Sequence, residues 1–134
     1  MTGFSGGCLC GAIHYECSEA PVSMVRCHCR ACQRTGGAGH SPTVVVRREA
    51  LRVIRGEAKS YRRAADSGAI ATREFCGQCG APLFAWSSSR PQFVGIRAGS
   101  LNDPSWFEPE RSVYAEDAQP WDVVEANVTP REKT

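Results

Sequence analysis

The chain has 134 residues, of which 22% are charged and 42% hydrophobic, and 16 basic against 14 acidic side chains leave a formal charge of +2. That length fits one domain and excludes a multidomain machine, while the composition excludes wholesale disorder. So small a charge argues against a nucleic-acid or membrane partner.

In chain order, residues Met1 to Gly7 lack the basic flank and apolar stretch of a secretory signal. No apolar run approaches the ~18 residues of a membrane helix, so a cytoplasmic protein is expected. Strands are predicted at Ala12–Cys17, Ser41–Val46, Leu51–Ile54, Lys59–Arg63, Thr72–Phe75, Pro82–Trp86 and Phe93–Ala98. These runs are rich in β-branched and aromatic residues, with Gly, Pro, Ser and Asp clusters between them. Residues 43–54, with Arg47 to Ala50 between two apolar runs, read as a hairpin. One helix is predicted from about His28 to Thr35, where Cys29 and Cys32 share a face at i, i+3. Gly36-Gly37 ends it. Asn127 to Thr134 reads as a polar, frayed tail. The expected architecture is a single mostly β domain over residues 1–134, with its core at about 3–125 and one short helix.

Eight cysteines carry the chemistry: Cys8, Cys10, Cys17, Cys27, Cys29, Cys32, Cys76 and Cys79. A disulfide framework belongs to small secreted chains, and cysteines two apart rarely meet the geometry of a bridge. Convergence on metal is the better reading. On an extended segment, Cys8 and Cys10 share a face and Leu9 points away. In Cys76-Gly77-Gln78-Cys79-Gly80 the glycines permit a tight knuckle. Two thiolates from each cluster would complete a tetrahedral structural zinc site.

The middle cluster, Cys27-His28-Cys29-Arg30-Ala31-Cys32, offers three thiolates within six residues. Three protein ligands and a vacant fourth position are the pattern of a catalytic zinc, able to bind a thiolate or polarise a carbonyl. His28 would close the site as a fourth ligand, but between Cys27 and Cys29 it faces the other way. Cys17 lies outside the clusters and reads as a buried free cysteine. If seven thiolates bind two zinc ions, the small positive charge falls to near neutrality.

Arg26, Arg30 and Arg34 recur every fourth residue beside this cluster and could hold carboxylates through bidentate pairs. Gln33 could add a polar contact. The basic stretch Arg47, Arg48, Arg52, Arg55, Lys59, Arg62 and Arg63 is interrupted by acids and lacks interleaved aromatics. It reads as a charged sheet edge rather than a nucleic-acid face. His14 and His40 read as hydrogen-bonded partners, and Trp86, Trp106 and Trp121 as core or pocket walls.

The set Gly7-Cys8-x-Cys10-Gly11, Cys27-His28-Cys29-x-x-Cys32 and Phe75-Cys76-x-x-Cys79-Gly80 resembles the glutathione-dependent formaldehyde-activating enzyme family, to which centromere protein V is related. The resemblance covers residues 3–125 and includes the loop Gly99-Ser100-Leu101 before Pro104. It implies an Mss4-like β scaffold, a structural zinc at Cys8, Cys10, Cys76 and Cys79, and a second zinc at Cys27, Cys29 and Cys32. It also implies glutathione as co-substrate and carbon–sulfur lyase chemistry on a thiol adduct of a small carbonyl compound. Arg30, Gln33 and Arg34 are the expected substrate contacts. A thiolate-rich zinc is a weak Lewis acid, which favours sulfur binding over carbonyl polarisation. The sequence departs from the family at Ser112-Val113-Tyr114, where a histidine is expected in place of Ser112. The competing reading is a non-catalytic, zinc-scaffolded binding module.

Overall fold

Strand alternation sorts the chain into two sheets around one core. In the computed structural model, residues 2–122 and the backbone of 129–131 are described. The small sheet holds β1 (Phe4–Gly7), β2 (His14–Cys17) and β5 (Leu51–Arg55), in the order β1-β2-β5. The large sheet is built from β3 (Ser23–Cys27), β4 (Ser41–Arg47), β6 (Lys59–Ala64), β7 (Ile70–Phe75), β8 (Pro82–Ser87), β9 (Phe93–Arg97), β10 (Arg111–Val113) and β11 (Thr129–Arg131). Its order is β11-β10-β3-β4-β9-β8-β7-β6. Among the described residues there is one α-helix, α1 (Arg30–Gly36), and no helix is long and apolar enough to cross a membrane.

The expected mostly β architecture with one short helix is what the chain adopts. Tyr15 and Cys17 of β2 are buried while Glu16 between them is exposed. They pack on Val44 and Val46 of β4, Phe84 of β8, and Val94 and Ile96 of β9. Tyr15 and Phe84 meet edge to face at 5.2 Å. Gly6 leaves room for the hydroxyl end of Tyr15, since a Cβ there would strike that hydroxyl and the Ser100 carbonyl.

Three expectations need correction. Residues 43–54 form no hairpin: β4 lies between β3 and β9, and β5 pairs with β2 in the other sheet. Strand β4 is an interior strand, hydrogen-bonded on both edges and buried on both faces, whereas most of β5 faces solvent. A single 3₁₀ turn at Arg48–Ala50, with Ala50 buried, carries the chain between sheets. The helix starts at Arg30 because Cys29 is extended and caps it. Within the expected tail, Thr129–Arg131 pairs parallel to β10, and the rest of that tail lies outside the described residues.

Candidate metal centres

The turn after β1 carries Cys8 and Cys10 to the knuckle after β7, where Cys76 and Cys79 wait; all four sulfurs lie within 4.8 Å of one another. The segment at Cys8 and Cys10 is a turn rather than extended chain, with Leu9 88% exposed. Sulfurs of Cys8 and Cys10, and of Cys10 and Cys76, are 3.7 Å apart. A zinc–sulfur bond of ~2.3 Å gives a tetrahedron edge of about 3.8 Å, whereas a disulfide needs about 2.05 Å. No disulfide joins any of the eight cysteines. Backbone amides already face these sulfurs, Ile13 N–H on Cys8 at 3.2 Å and Gln78 N–H on Cys76 at 3.4 Å. The four residues therefore fit a closed tetrahedral ion.

The second cluster is Cys27, at the end of β3, with Cys29 and Cys32 at the start of α1, again within 4.8 Å. Cys29 accepts from the Cys32 N–H at 3.3 Å, so one side chain is both helix cap and candidate ligand. The neighbouring Cys27 and Cys29 thiols pull Cys32 far below the usual thiol range, and Arg97 and Arg73 act in the same direction. The same Cys29 and Cys32 contacts push Cys27 far above it. Three thiolates this close need a shared cation. Among the described residues, no fourth cysteine, histidine or carboxylate joins them.

His28 turns away from these thiols, as its position between two cysteines predicts. It is fully buried, with Nε2 at 3.3 Å from Ser112 Oγ and Nδ1 at 2.9 Å from Asp122 Oδ2. Burial pushes its pKa down. His40 Nδ1 joins the same carboxylate at 3.2 Å, and Gly39 leaves room, since a Cβ there would lie 2.6 Å from Asp122 Cγ. Sequence reasoning missed this network because Asp122 is 82 residues from His40. Its only signal was the placement of His28.

Gln33 is buried, with its amide donating to the carbonyls of His28 at 2.7 Å and Asp117 at 3.1 Å. Arg30 donates to Gln33 Oε1 at 2.5 Å, and Arg34 is exposed. Two cavities open on the molecule, and neither Cys27, Cys29 and Cys32 nor Arg30, Gln33 and Arg34 line them. One, of 330 Å³, is lined by Thr35, Arg73, Phe75, Phe84 and Arg97 among others. The other, of 550 Å³, runs past Gly36, Ser41, Arg97, Ser100 and Asn102. Cys17 is buried as expected, which pushes its thiol up. Trp86 stacks under Arg48 at 4.4 Å and Trp106 packs on Phe4 at 5.1 Å. Trp121, expected in the core or a pocket wall, is instead 69% exposed. Within the basic stretch, Arg47 pairs with Glu19 and Glu49, and Arg52 with Glu16.

A family model described as glutathione-dependent formaldehyde-activating enzyme matches residues 3–117. The chain is also similar to a Rhodobacter sphaeroides protein of known crystal structure, solved as a structural-genomics target. The two are 27% identical with a TM-score of 0.60, over 73% of this chain and 87% of that one.

Proposed function

The chain belongs to the glutathione-dependent formaldehyde-activating enzyme family, its mostly β architecture fits the Mss4-like scaffold, and from that premise we propose a zinc-dependent carbon–sulfur lyase. Its substrate is the adduct of glutathione, or a similar thiol, with a small carbonyl compound. The observation that carries this reading is the three-thiol cluster with no fourth ligand among the described residues. Cys27, Cys29 and Cys32 would hold one zinc, and Cys8, Cys10, Cys76 and Cys79 a structural one. A zinc at the three-thiol cluster supplies a position where an incoming thiol binds as thiolate at neutral pH.

The chain's own groups do the rest. Ser41 donates to the Cys32 carbonyl at 2.9 Å and holds the first turn of α1 against β4. The Asp122 carboxylate lies 2.9 Å from one nitrogen of His28 and Ser112 Oγ 3.3 Å from the other, which orients the segment that bears Cys27 and Cys29. Ser112, in place of the family's histidine, favours a second reading: a zinc-scaffolded module that binds the thiol without turnover.

The test is the zinc-loaded protein with formaldehyde and glutathione, following loss of free formaldehyde. Acceleration that disappears in Cys29→Ser supports the enzyme. Glutathione binding without acceleration supports the module, and absence of both overturns the reading.

A further inference from the structure

Two guanidinium groups stand beside the three-thiol cluster without a carboxylate partner. Arg97 is 7% exposed, and its Nη1 donates to Thr43 Oγ1 at 2.9 Å. Arg73 is half-buried, and its Nε lies out of water with no acceptor. Among the described residues, neither forms an ion pair. Glu74 lines the same cavity, but burial pushes its carboxyl pKa up, and the arginines acting on it are Arg48 and Arg62. Removing a guanidinium from water is costly unless an anion meets it.

Strand register places these groups on one face. Cys27 pairs with Ser41 and, two residues on, Thr43 pairs with Arg97. Gly95, two residues before Arg97, pairs with Ala85, which pairs with Arg73. Residues two apart on a strand share a face, so Cys27, Arg97 and Arg73 look the same way. Between the two arginines, the floor is Ala85 and Gly95, the smallest side chains available. A Cβ at Gly95 would lie 2.7 Å from Thr43 Cγ2. Both arginines line the cavity of 330 Å³ and the three cysteines do not, so a ligand bound at the sulfurs would reach into it with its carboxylate end, and apolar walls with a few convergent charges are the usual build of such a site.

We propose that Arg73 and Arg97 form the carboxylate subsite for the thiol bound at the three-cysteine centre. The ligand is then a carboxylate-bearing aliphatic thiol held at two points, sulfur at the cysteines and carboxylate between the guanidiniums. Planar guanidinium pairs suit that task. The proposal rests on the reading of Cys27, Cys29 and Cys32 as an open metal site. It moves the anion contact from Arg30 and Arg34, on the exposed side of α1, to the sheet beneath.

The test uses zinc-loaded full-length protein and two probe thiols of similar size, mercaptopropionate and mercaptoethanol, titrated by calorimetry. The readout is the ratio of their affinities. The intact protein should prefer mercaptopropionate by about tenfold or more, the scale of one charged hydrogen bond. Arg73→Ala should bring the ratio close to one, with Arg73→Lys between, while Arg30→Ala keeps the preference. Arg97→Lys, checked for retained zinc and fold, should lower it as well. Equal weakening of both thiols in Arg73→Ala overturns the proposal, because the arginines would then serve the thiolates alone. Loss of the preference in Arg30→Ala but not in Arg73→Ala also overturns it. If neither thiol binds the intact protein, the open-site reading fails with it.

Discussion

Ser112 sits in β10 with no exposed surface, and its Oγ meets His28 Nε2 at 3.3 Å. With Asp122 on the other ring nitrogen at 2.9 Å, the three groups have the outline of a hydrolase triad. A serine fully out of water is reached by no substrate, so the network orients the segment that bears Cys27 and Cys29. Ser112→Ala should lower stability by about 1 kcal/mol, one neutral hydrogen bond, and leave the metal content intact. Ser112→His restores the family residue in sequence only. In a fully packed position the ring should cost about 1–3 kcal/mol, and thermal melts of both variants check this order. Tyr15 gives a pH prediction with a definite sign. Burial pushes its pKa up from 10.0 to about 12, against the Ser100 hydrogen bond, which lowers it. The folded state thus keeps the phenol protonated where the unfolded chain ionises. This contribution is complete below pH 10 and fades as pH rises towards 12, by about 2–3 kcal/mol at ~1.4 kcal/mol per unit. Urea titrations at pH 9 and pH 11.5 should show the loss, and Tyr15→Phe should lack it.

At the scale of elements, α1 is short and held by its ends. Cys29 accepts from the Cys32 N–H at the start, and Gly37, with φ of 71°, donates back to the Gln33 carbonyl at the end. Serine at position 29 keeps a cap acceptor and alanine does not. Cys29→Ser should therefore be more stable than Cys29→Ala by about 0.5–2 kcal/mol, although both lose the ligand. Chemical denaturation of the two measures the difference. The helix was legible because Cys29, Cys32 and the Gly36-Gly37 stop agree on one register. Strands β2, β4 and β6 to β9 were legible from alternation and from turn residues between them. By contrast, β1 reads Phe-Ser-Gly-Gly, and two glycines give no strand signal. In β3, Met24 and Arg26 alternate with buried Ser23 and Val25, a mixed pattern whose burial depends on β10 packed alongside. The false hairpin at residues 43–54 shows the limit of local reading. A turn sequence fixes that the chain turns, not which sheet receives the next strand.

At the scale of the molecule, the two thiolate centres have different mechanical roles. The four-cysteine site joins the turn after β1 to a knuckle 66 residues later, across the boundary between the sheets. The three-cysteine site lies within the short span from β3 to α1 and crosses no such boundary. Structural zinc of this kind contributes about 10 kcal/mol or more to folding, comparable with the whole stability of a domain. Cys76→Ser should therefore abolish cooperative melting, while Cys29→Ser should still fold and keep one zinc. That each cysteine pair or triplet converges was legible from two- and three-residue spacing. The meeting of Cys8 and Cys10 with Cys76 and Cys79, 66 residues on, came from the resemblance and is matched by the clustering of their sulfurs within 4.8 Å. The Arg73 and Arg97 pair was not legible, since their nearness exists only through the registers of β7, β8 and β9. The central claim is one closed and one open thiolate centre on this scaffold. Its most direct test is cobalt(II) loaded in place of zinc, with the visible thiolate spectrum followed during titration with glutathione. The account predicts two cobalt ions per chain, a spectrum that glutathione changes, and a Cys29→Ser protein whose single remaining ion is unaffected. One cobalt ion in the intact protein, or a spectrum that millimolar glutathione leaves unchanged, would contradict it.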